Sequence, residues 1–311
     1  MRILMLGNAG AGKTAYLLSA FGILKKGKNG FNLRADADAD PWLSLGFKAL
    51  KKGGWPKPTQ SRRVWPMELV YDGKTLLPFE LVDGHGGALL ESGAGYVPEE
   101  LALVDGMMLF LDASALLKKD KKAMQLRRMI ALLSVRLMEE EGDFSITVVI
   151  TKYDEVGEAA SFEQVCEALK PFSDNISQKK NIRFRVVPVS CGPNGFANVD
   201  YVLLDLLHGW LEKDCGRVRE SLEADWKKIK YYADNKGLED WMLSKLSGTE
   251  TYKKMEKDAR KEAEEKAALL KSMEEPCRRL GQYIASYKIV LPKKAPKSGL
   301  QAIFNLLKTM G

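Results

Sequence analysis

The stretch Gly7-Asn8-Ala9-Gly10-Ala11-Gly12-Lys13-Thr14 fits G-x-x-x-x-G-K-[ST] at every fixed position. It follows Arg2-Ile3-Leu4-Met5-Leu6, an apolar run suited to a buried strand, and precedes residues 15–24, which read as a helix. Glycines let such a turn aim successive backbone N–H groups inward at phosphate oxygens, and the helix that follows adds the positive end of its dipole. The expected anion contacts therefore run from Gly7 through Ala15. In this pattern Lys13 reaches the β/γ-phosphates as a point charge and the Thr14 hydroxyl is a ligand for Mg²⁺.

Composition narrows the setting. The 311 residues are 45% hydrophobic and 29% charged, ordinary for one large or two modest globular domains. No apolar run approaches the ~18 residues of a membrane span, and the phosphate loop begins too early to leave room for a leader, so a cytoplasmic protein is expected. Cys166, Cys191, Cys215 and Cys277 are widely separated and there are only two histidines, which suggests neither a disulfide framework nor a zinc site. Beyond residue 275 there are seven basic residues and no acidic one, which matches the whole net charge of +7. Any contact with an anionic surface belongs at that end.

Along the chain, residues 29–61 read as irregular, with a short helix from Pro41 toward Leu50 capped by Asp40, and with Asp36 and Asp38 as solvated loop residues. Residues 64–71 and 75–82 are strand-like runs joined by Asp72-Gly73, a hairpin signal, and Pro66 argues that the first lies at a sheet edge. Residues 104–111 and 145–150 are continuous apolar runs of the kind central parallel strands need, with an amphipathic helix at 121–141 between them. A helix at 162–170 ends at Pro171, a strand covers 183–189, and a helix at 199–211, with His208 packed or on the surface rather than functional, closes the domain.

Two more motifs sit at strand ends: Asp83-Gly84-His85-Gly86, and Thr151-Lys152-Tyr153-Asp154. With the glycine loop and Ser190-Cys191-Gly192 further on, residues 1–212 resemble P-loop GTPases of the Ras and translation-factor class. That resemblance implies an α/β fold, a mixed and mostly parallel sheet flanked by helices. It implies guanine read by Thr151, Lys152 and Asp154, with Ser190, Cys191 and Gly192 beside the base, and Mg²⁺ held by Thr14, Thr59 and Asp83. The expected catalytic set is Lys13, Thr59, His85 and Gly86. A carboxylate at position 154 suits guanine because adenine offers no matching pair of donors.

The pattern also departs from that class. Gly87 stands where many members have the water-positioning Gln, which implies slow turnover without a partner. Arg62 and Arg63 follow Thr59 and read as the start of a strand rather than as an arginine finger. The run Trp55-Pro56-x-x-Thr59 resembles bacterial GTPases that occur as paired domains, which implies a second GTPase or a second copy as partner.

Beyond this domain (1–215), residues 216–311 read as an all-helical extension. Val218, Leu222, Trp226, Ile229 and Tyr232 form a stripe that needs a docking surface, on this chain or on another protein. Residues 250–274 read as a solvated charged helix interrupted by Pro276. Residues 300–310 form an amphipathic terminus with a basic approach, suited to docking on the protein or to peripheral membrane contact. The expected function is a Mg²⁺-dependent GTP-binding and GTP-hydrolysing switch acting on a protein partner. The alternatives are a GTP-binding scaffold and a membrane-associated assembly protein, with no sequence-specific nucleic acid contact.

Overall fold

A run as apolar as Ile3-Leu4-Met5-Leu6 is stable only where both faces of a strand are covered, and β1 (Arg2–Leu6) lies in the middle of a seven-stranded sheet. The computed structural model describes residues 1–57, 62–84, 101–118, 121–156, 162–193, 195–235 and 252–292. The chain divides into two compact units, one formed by Met1–Leu206 with residues 287–292, the other by Leu207–Ser286. No helix among the described residues is long and apolar enough to cross a membrane.

The first unit runs β1, α1 (Lys13–Leu24), β2 (Phe31–Ala35), α2 (Ala39–Lys51), β3 (Arg63–Tyr71), β4 (Lys74–Asp83), β5 (Gly106–Asp112), α3 (Ala113–Leu117) and α4 (Lys121–Met138). It continues through β6 (Phe144–Thr151), α5 (Tyr153–Val156), α6 (Phe162–Ser177), β7 (Ile182–Pro188) and a small hairpin of β8 (Ser190–Gly192) and β9 (Gly195–Ala197). The sheet order is β2-β3-β4-β1-β5-β6-β7, with only β3 running against the others. Alternation along the strands sends neighbours to opposite faces. Leu109 and Leu111 join the core under α4 and α6 with Leu126, Met129, Leu133, Leu169 and Phe172, while Phe110 turns to the other face and meets Tyr16 of α1 at 5.2 Å between ring centroids. This is the mixed, mostly parallel sheet flanked by helices that the sequence implies.

Several local expectations are corrected. The segment read as irregular contains β2 and a thirteen-residue α2. In β2 only Phe31 and Leu33 carry the alternation, and both are buried against β3. Asp36, rather than Asp40, accepts from the Ala39 N–H at 2.7 Å at the start of α2. Asp40 lies inside the helix and accepts from Lys25 Nζ at 2.5 and 2.7 Å. The sheet edge belongs to β2, but that strand ends at the Ala35–Met67 pair, so Pro66 lies just past it and no β2 partner needs its missing N–H. Helix α6 passes through Pro171, because Val165, Leu169, Phe172 and Ile176 keep one buried stripe across it.

In the second unit the chain follows α7 (Val199–Asp234), which begins in the first unit and runs unbroken through Gly216, and α8 (Tyr252–Ser286), which runs through Pro276. Pro276 is buried with Cys277 and Leu280, so packing offsets the lost backbone hydrogen bond. The two helices are antiparallel: Arg219 pairs with Glu274, Asp225 with Lys266 at 2.5 Å, and Ile229 packs with Ala259 and Ala263. Of the stripe read from the sequence, Leu222, Ile229 and Tyr232 find their surface on α8, whereas Trp226 is exposed. The charged stretch read as solvated buries Ala259, Ala263, Leu270 and Met273, and the two alanines pack against Ile229 of α7.

Candidate functional site

The glycine loop is shaped by the strand next to it. Gly7 leaves β1 at φ 154° with its Cα so close to β5 that a Cβ would stand 2.6 Å from the Phe110 carbonyl oxygen, which only glycine permits. The Ala11 N–H closes a turn on Asn8 O at 3.0 Å, and Gly10 and Gly12 take φ 76° and 92°. Gly12 stands at the N-cap of α1 with no side-chain capping bond, so the first-turn amides are available to an anion.

Lys13 is buried and its Nζ donates to the Gly7 carbonyl at 2.8 Å, which folds the side chain back over the loop. Burial lowers its pKa, against a raising contribution from Asp83. Asp83 ends β4, level with Met5 of β1, and is 1% exposed, so it sets a buried negative charge within electrostatic reach of Lys13. The oxygens of Thr14 and Asp83 are the hard donors that Mg²⁺ takes, and a buried carboxylate beside a phosphate cradle fits that ion.

A second group arrives from β6. The Thr151 hydroxyl donates to the Ala11 carbonyl at 2.8 Å and approaches Leu111 O at 3.3 Å, fastening the end of this strand to the glycine loop. Lys152 follows in the left-handed region at φ 54°, and its Nζ bonds Asp112 Oδ2 at 2.7 Å. Asp154 stands in the first turn of α5 half-buried, and burial raises its pKa. Among the described residues no cation is paired with it. Ser190 donates to Gly195 O at 3.1 Å within the β8–β9 hairpin, and burial pushes the Cys191 thiol up to about 12, a structural thiol rather than a nucleophile.

Most of these groups share one cleft of about 480 Å³. Ala9, Gly10, Ala11, Gly12, Lys13, Thr14 and Ala15 line one part, and Thr151, Lys152, Asp154, Cys191 and Gly192 line another. Gly7, Asn8, Ser190 and Asp83 do not line it; Gly7 shapes the loop from behind, and Ser190 holds the hairpin. Thr59, His85 and Gly86, and Gly87 with them, lie outside the described residues. The cleft also contains Trp55, Pro56, Lys57 and Glu155, which sequence reasoning did not assign to it. Trp55 is 61% exposed and lies over Gly192, where a Cβ would be 3.4 Å from its ring. Asp112 was also missed, although a carboxylate ending a central parallel strand was a usable signal. Arg63 begins β3 as expected, with its guanidinium 5.8 and 5.9 Å from the stacked rings of Trp42 and Trp65.

A glycine cradle at the carboxyl end of a central parallel strand, opening a helix, defines the first unit as a P-loop α/β domain. No family model and no curated protein matches the chain. Among solved structures, it is similar to the GTPase-like domain of Ski7 from S. cerevisiae bound to GTP, at 15% identity over 62% of this chain and 44% of that one, with a TM-score of 0.37. It is also similar to the signal recognition particle receptor SRb-GTP/SRX complex from Chaetomium thermophilum, at 15% identity over 61% of this chain and 93% of that one, with a TM-score of 0.37. A third is a GTP-binding protein from Sulfolobus solfataricus in complex with GDP, at 14% identity over 61% of this chain and 46% of that one, with a TM-score of 0.31. The chain spans less than half the length of the Ski7 chain.

Proposed function

We propose that this chain is a Mg²⁺-dependent guanine-nucleotide-binding protein that hydrolyses GTP to GDP and phosphate and uses the bound nucleotide to control a protein partner. The observation that carries the reading is the single cleft in which a phosphate cradle and a half-buried carboxylate with no paired cation among the described residues lie side by side. Guanine brings two donors, N1–H and the exocyclic amine, to such a carboxylate, whereas adenine would leave it desolvated and unmatched. Lys13 and the amides of Gly10 to Thr14 bind the phosphates, and Asp154 with the Lys152 stem reads the base. Mg²⁺, which Thr14, Thr59 and Asp83 would hold, supplies charge neutralisation on the β- and γ-phosphate oxygens.

In this reading Thr59 and the Gly86 N–H contact the γ-phosphate, so that nucleotide state orders or releases their two loops, with His85 beside them. Gly87 in place of Gln makes turnover slow until a partner completes the site. That partner is a protein, either a second GTPase or another copy of this chain, as the Trp55-Pro56-x-x-Thr59 run suggests, and the setting is cytoplasmic. The absence of Gln also favours a second reading, a GTP-binding scaffold without hydrolysis, and Lys13-dependent phosphate release would exclude it. A third reading assigns the function to the basic terminus at a membrane surface. It requires vesicle binding that disappears when residues 291–311 are deleted.

Calorimetric titration with GTP, GDP and ATP in Mg²⁺ tests the main reading. Tight binding of both guanine nucleotides and none of ATP is expected. A preference for ATP, or indifference to all three, overturns it. Asp154→Asn then shifts the preference toward xanthosine nucleotides, which regain a matched pair with the amide.

A further inference from the structure

We propose that Asp112 is a positioning residue of the nucleobase site, holding the Lys152 ammonium away from the ligand so that the lysine's methylene stem forms the floor on which the base lies. This rests on the guanine-nucleotide reading and adds a residue to it.

The two oxygens of Asp112 have separate tasks. Oδ1 caps α3, accepting from the Ser114 N–H at 2.9 Å, the Ser114 hydroxyl at 2.7 Å and the Ala115 N–H at 3.3 Å. With Oδ1 fixed in this way, Oδ2 points to Lys152 Nζ at 2.7 Å. The pairing follows from register: Asp112 and Thr151 are partners on β5 and β6, which sets Lys152 one residue beyond its anchor.

Lys152 lines the cleft and Asp112 does not, so the ammonium is bonded to a group outside the cleft lining. The backbone supports the same placement at a cost. Lys152 has φ 54°, a region that disfavours side chains, and the ion pair is one of the interactions that hold it there. Both side chains are partly shielded, at 35% and 20% exposure, which moderates solvent screening. Burial tends to raise the Asp112 pKa, but Lys152, Ser114 and Ala115 outweigh it and hold the carboxyl below its ordinary value, so the anchor is charged at neutral pH. Glu155, within electrostatic reach of Lys152, is the competing site for the ammonium once Asp112 is lost.

Asparagine is as good an N-cap as aspartate, so Asp112→Asn keeps α3 capped and removes only the charge that holds Lys152. The test is a double-mutant cycle on the full chain, with GDP·Mg²⁺ affinity measured by calorimetry for wild type, Asp112→Asn, Lys152→Ala and the double variant. Asp112→Asn is expected to weaken GDP binding by about five- to tenfold, and to have no further effect once Lys152 is alanine. Asp112→Ser, a second capping residue without charge, must behave in the same way and serves if the asparagine variant does not fold. An unchanged affinity in Asp112→Asn, or an equal loss with and without Lys152, overturns the proposal. If wild type does not bind GDP, the guanine-nucleotide reading fails first, and the assignment of Asp112 fails with it.

Discussion

The Thr151 hydroxyl and the Ala11 carbonyl, 140 positions apart and both in residues that line the cleft, are joined by a 2.8 Å hydrogen bond. The bond makes the end of β6 and the glycine loop one structural piece, so that in the proposed reading the groups assigned to phosphate and to the base keep a fixed separation. Ala11 is 5% exposed, and its carbonyl has little water to turn to if the donor is removed. Thr151→Val keeps the shape and deletes the donor, and the expected loss is about 1–3 kcal/mol of folding stability in urea unfolding. Nucleotide affinity should fall with it, because the two halves of the cleft are no longer tied.

Two glycines of the same loop should respond very differently to alanine. Gly10 has φ 76° with open space where a Cβ would go, so Gly10→Ala carries only backbone strain, about 1 kcal/mol. At Gly7 the new Cβ would meet the Phe110 carbonyl at 2.6 Å and Phe110 Cβ at 3.0 Å, and β1 and β5 would have to separate. The expected cost is about 2–4 kcal/mol. Equal effects of the two substitutions on the urea midpoint would contradict this account of the loop.

These contrasts also explain what could be read from the sequence. The glycine loop, the Asp72-Gly73 hairpin and Thr151 to Asp154 were legible because each is a local pattern whose chemistry is complete within a few residues. β2 was not, since two buried side chains, Phe31 and Leu33, are too few to set a period against the glycines and aspartates around them. The stops expected at Pro171 and Pro276 do not occur, and the helix expected to end at residue 211 runs on to Asp234. A helix whose buried stripe continues past such a residue keeps its packing and gives up only a local interaction. The Asp112–Lys152 pair could not be seen at all without the register of β5 on β6, which is a property of the sheet and not of either segment.

Asp154 gives a pH dependence whose sign differs between stability and binding. Burial raises its folded-state pKa, so the folded protein holds this proton more tightly than the unfolded chain does. Its contribution therefore favours folding as pH falls and opposes it as pH rises through that value. In the proposed reading guanine recognition needs the carboxylate, so GDP affinity should be level near neutrality and weaken as pH drops through the raised Asp154 value. That decline begins above the ordinary carboxylate pKa of about 4. Asp112 is held below that range and stays charged through the same interval. Calorimetry from neutral to mildly acidic pH, with inorganic pyrophosphate as the reference for titration of the phosphates, should show a steeper decline for GDP than for the ligand that lacks a base. Parallel curves for the two ligands would rule out the assignment.

The helical unit offers a test that does not depend on any ligand. Gly281 of α8 faces His208 of α7 so closely that a Cβ would lie 2.8 Å from the imidazole Nε2 and 3.3 Å from Cε1. The ring is 8% exposed, with its Nδ1 3.6 Å from a Glu212 carboxylate oxygen, so it has little freedom to turn aside. Alanine in a helix is worth about 1 kcal/mol over glycine, and that gain is expected to be lost to the clash. Gly281→Ala should therefore destabilise the protein by about 1–2 kcal/mol in wild type. With His208 already alanine, the imidazole is gone and the same substitution should stabilise, by about the intrinsic helix preference. Urea unfolding of the four proteins gives both signs, and a Gly281→Ala effect of the same sign in both backgrounds would show that the contact does not set the spacing of the two helices.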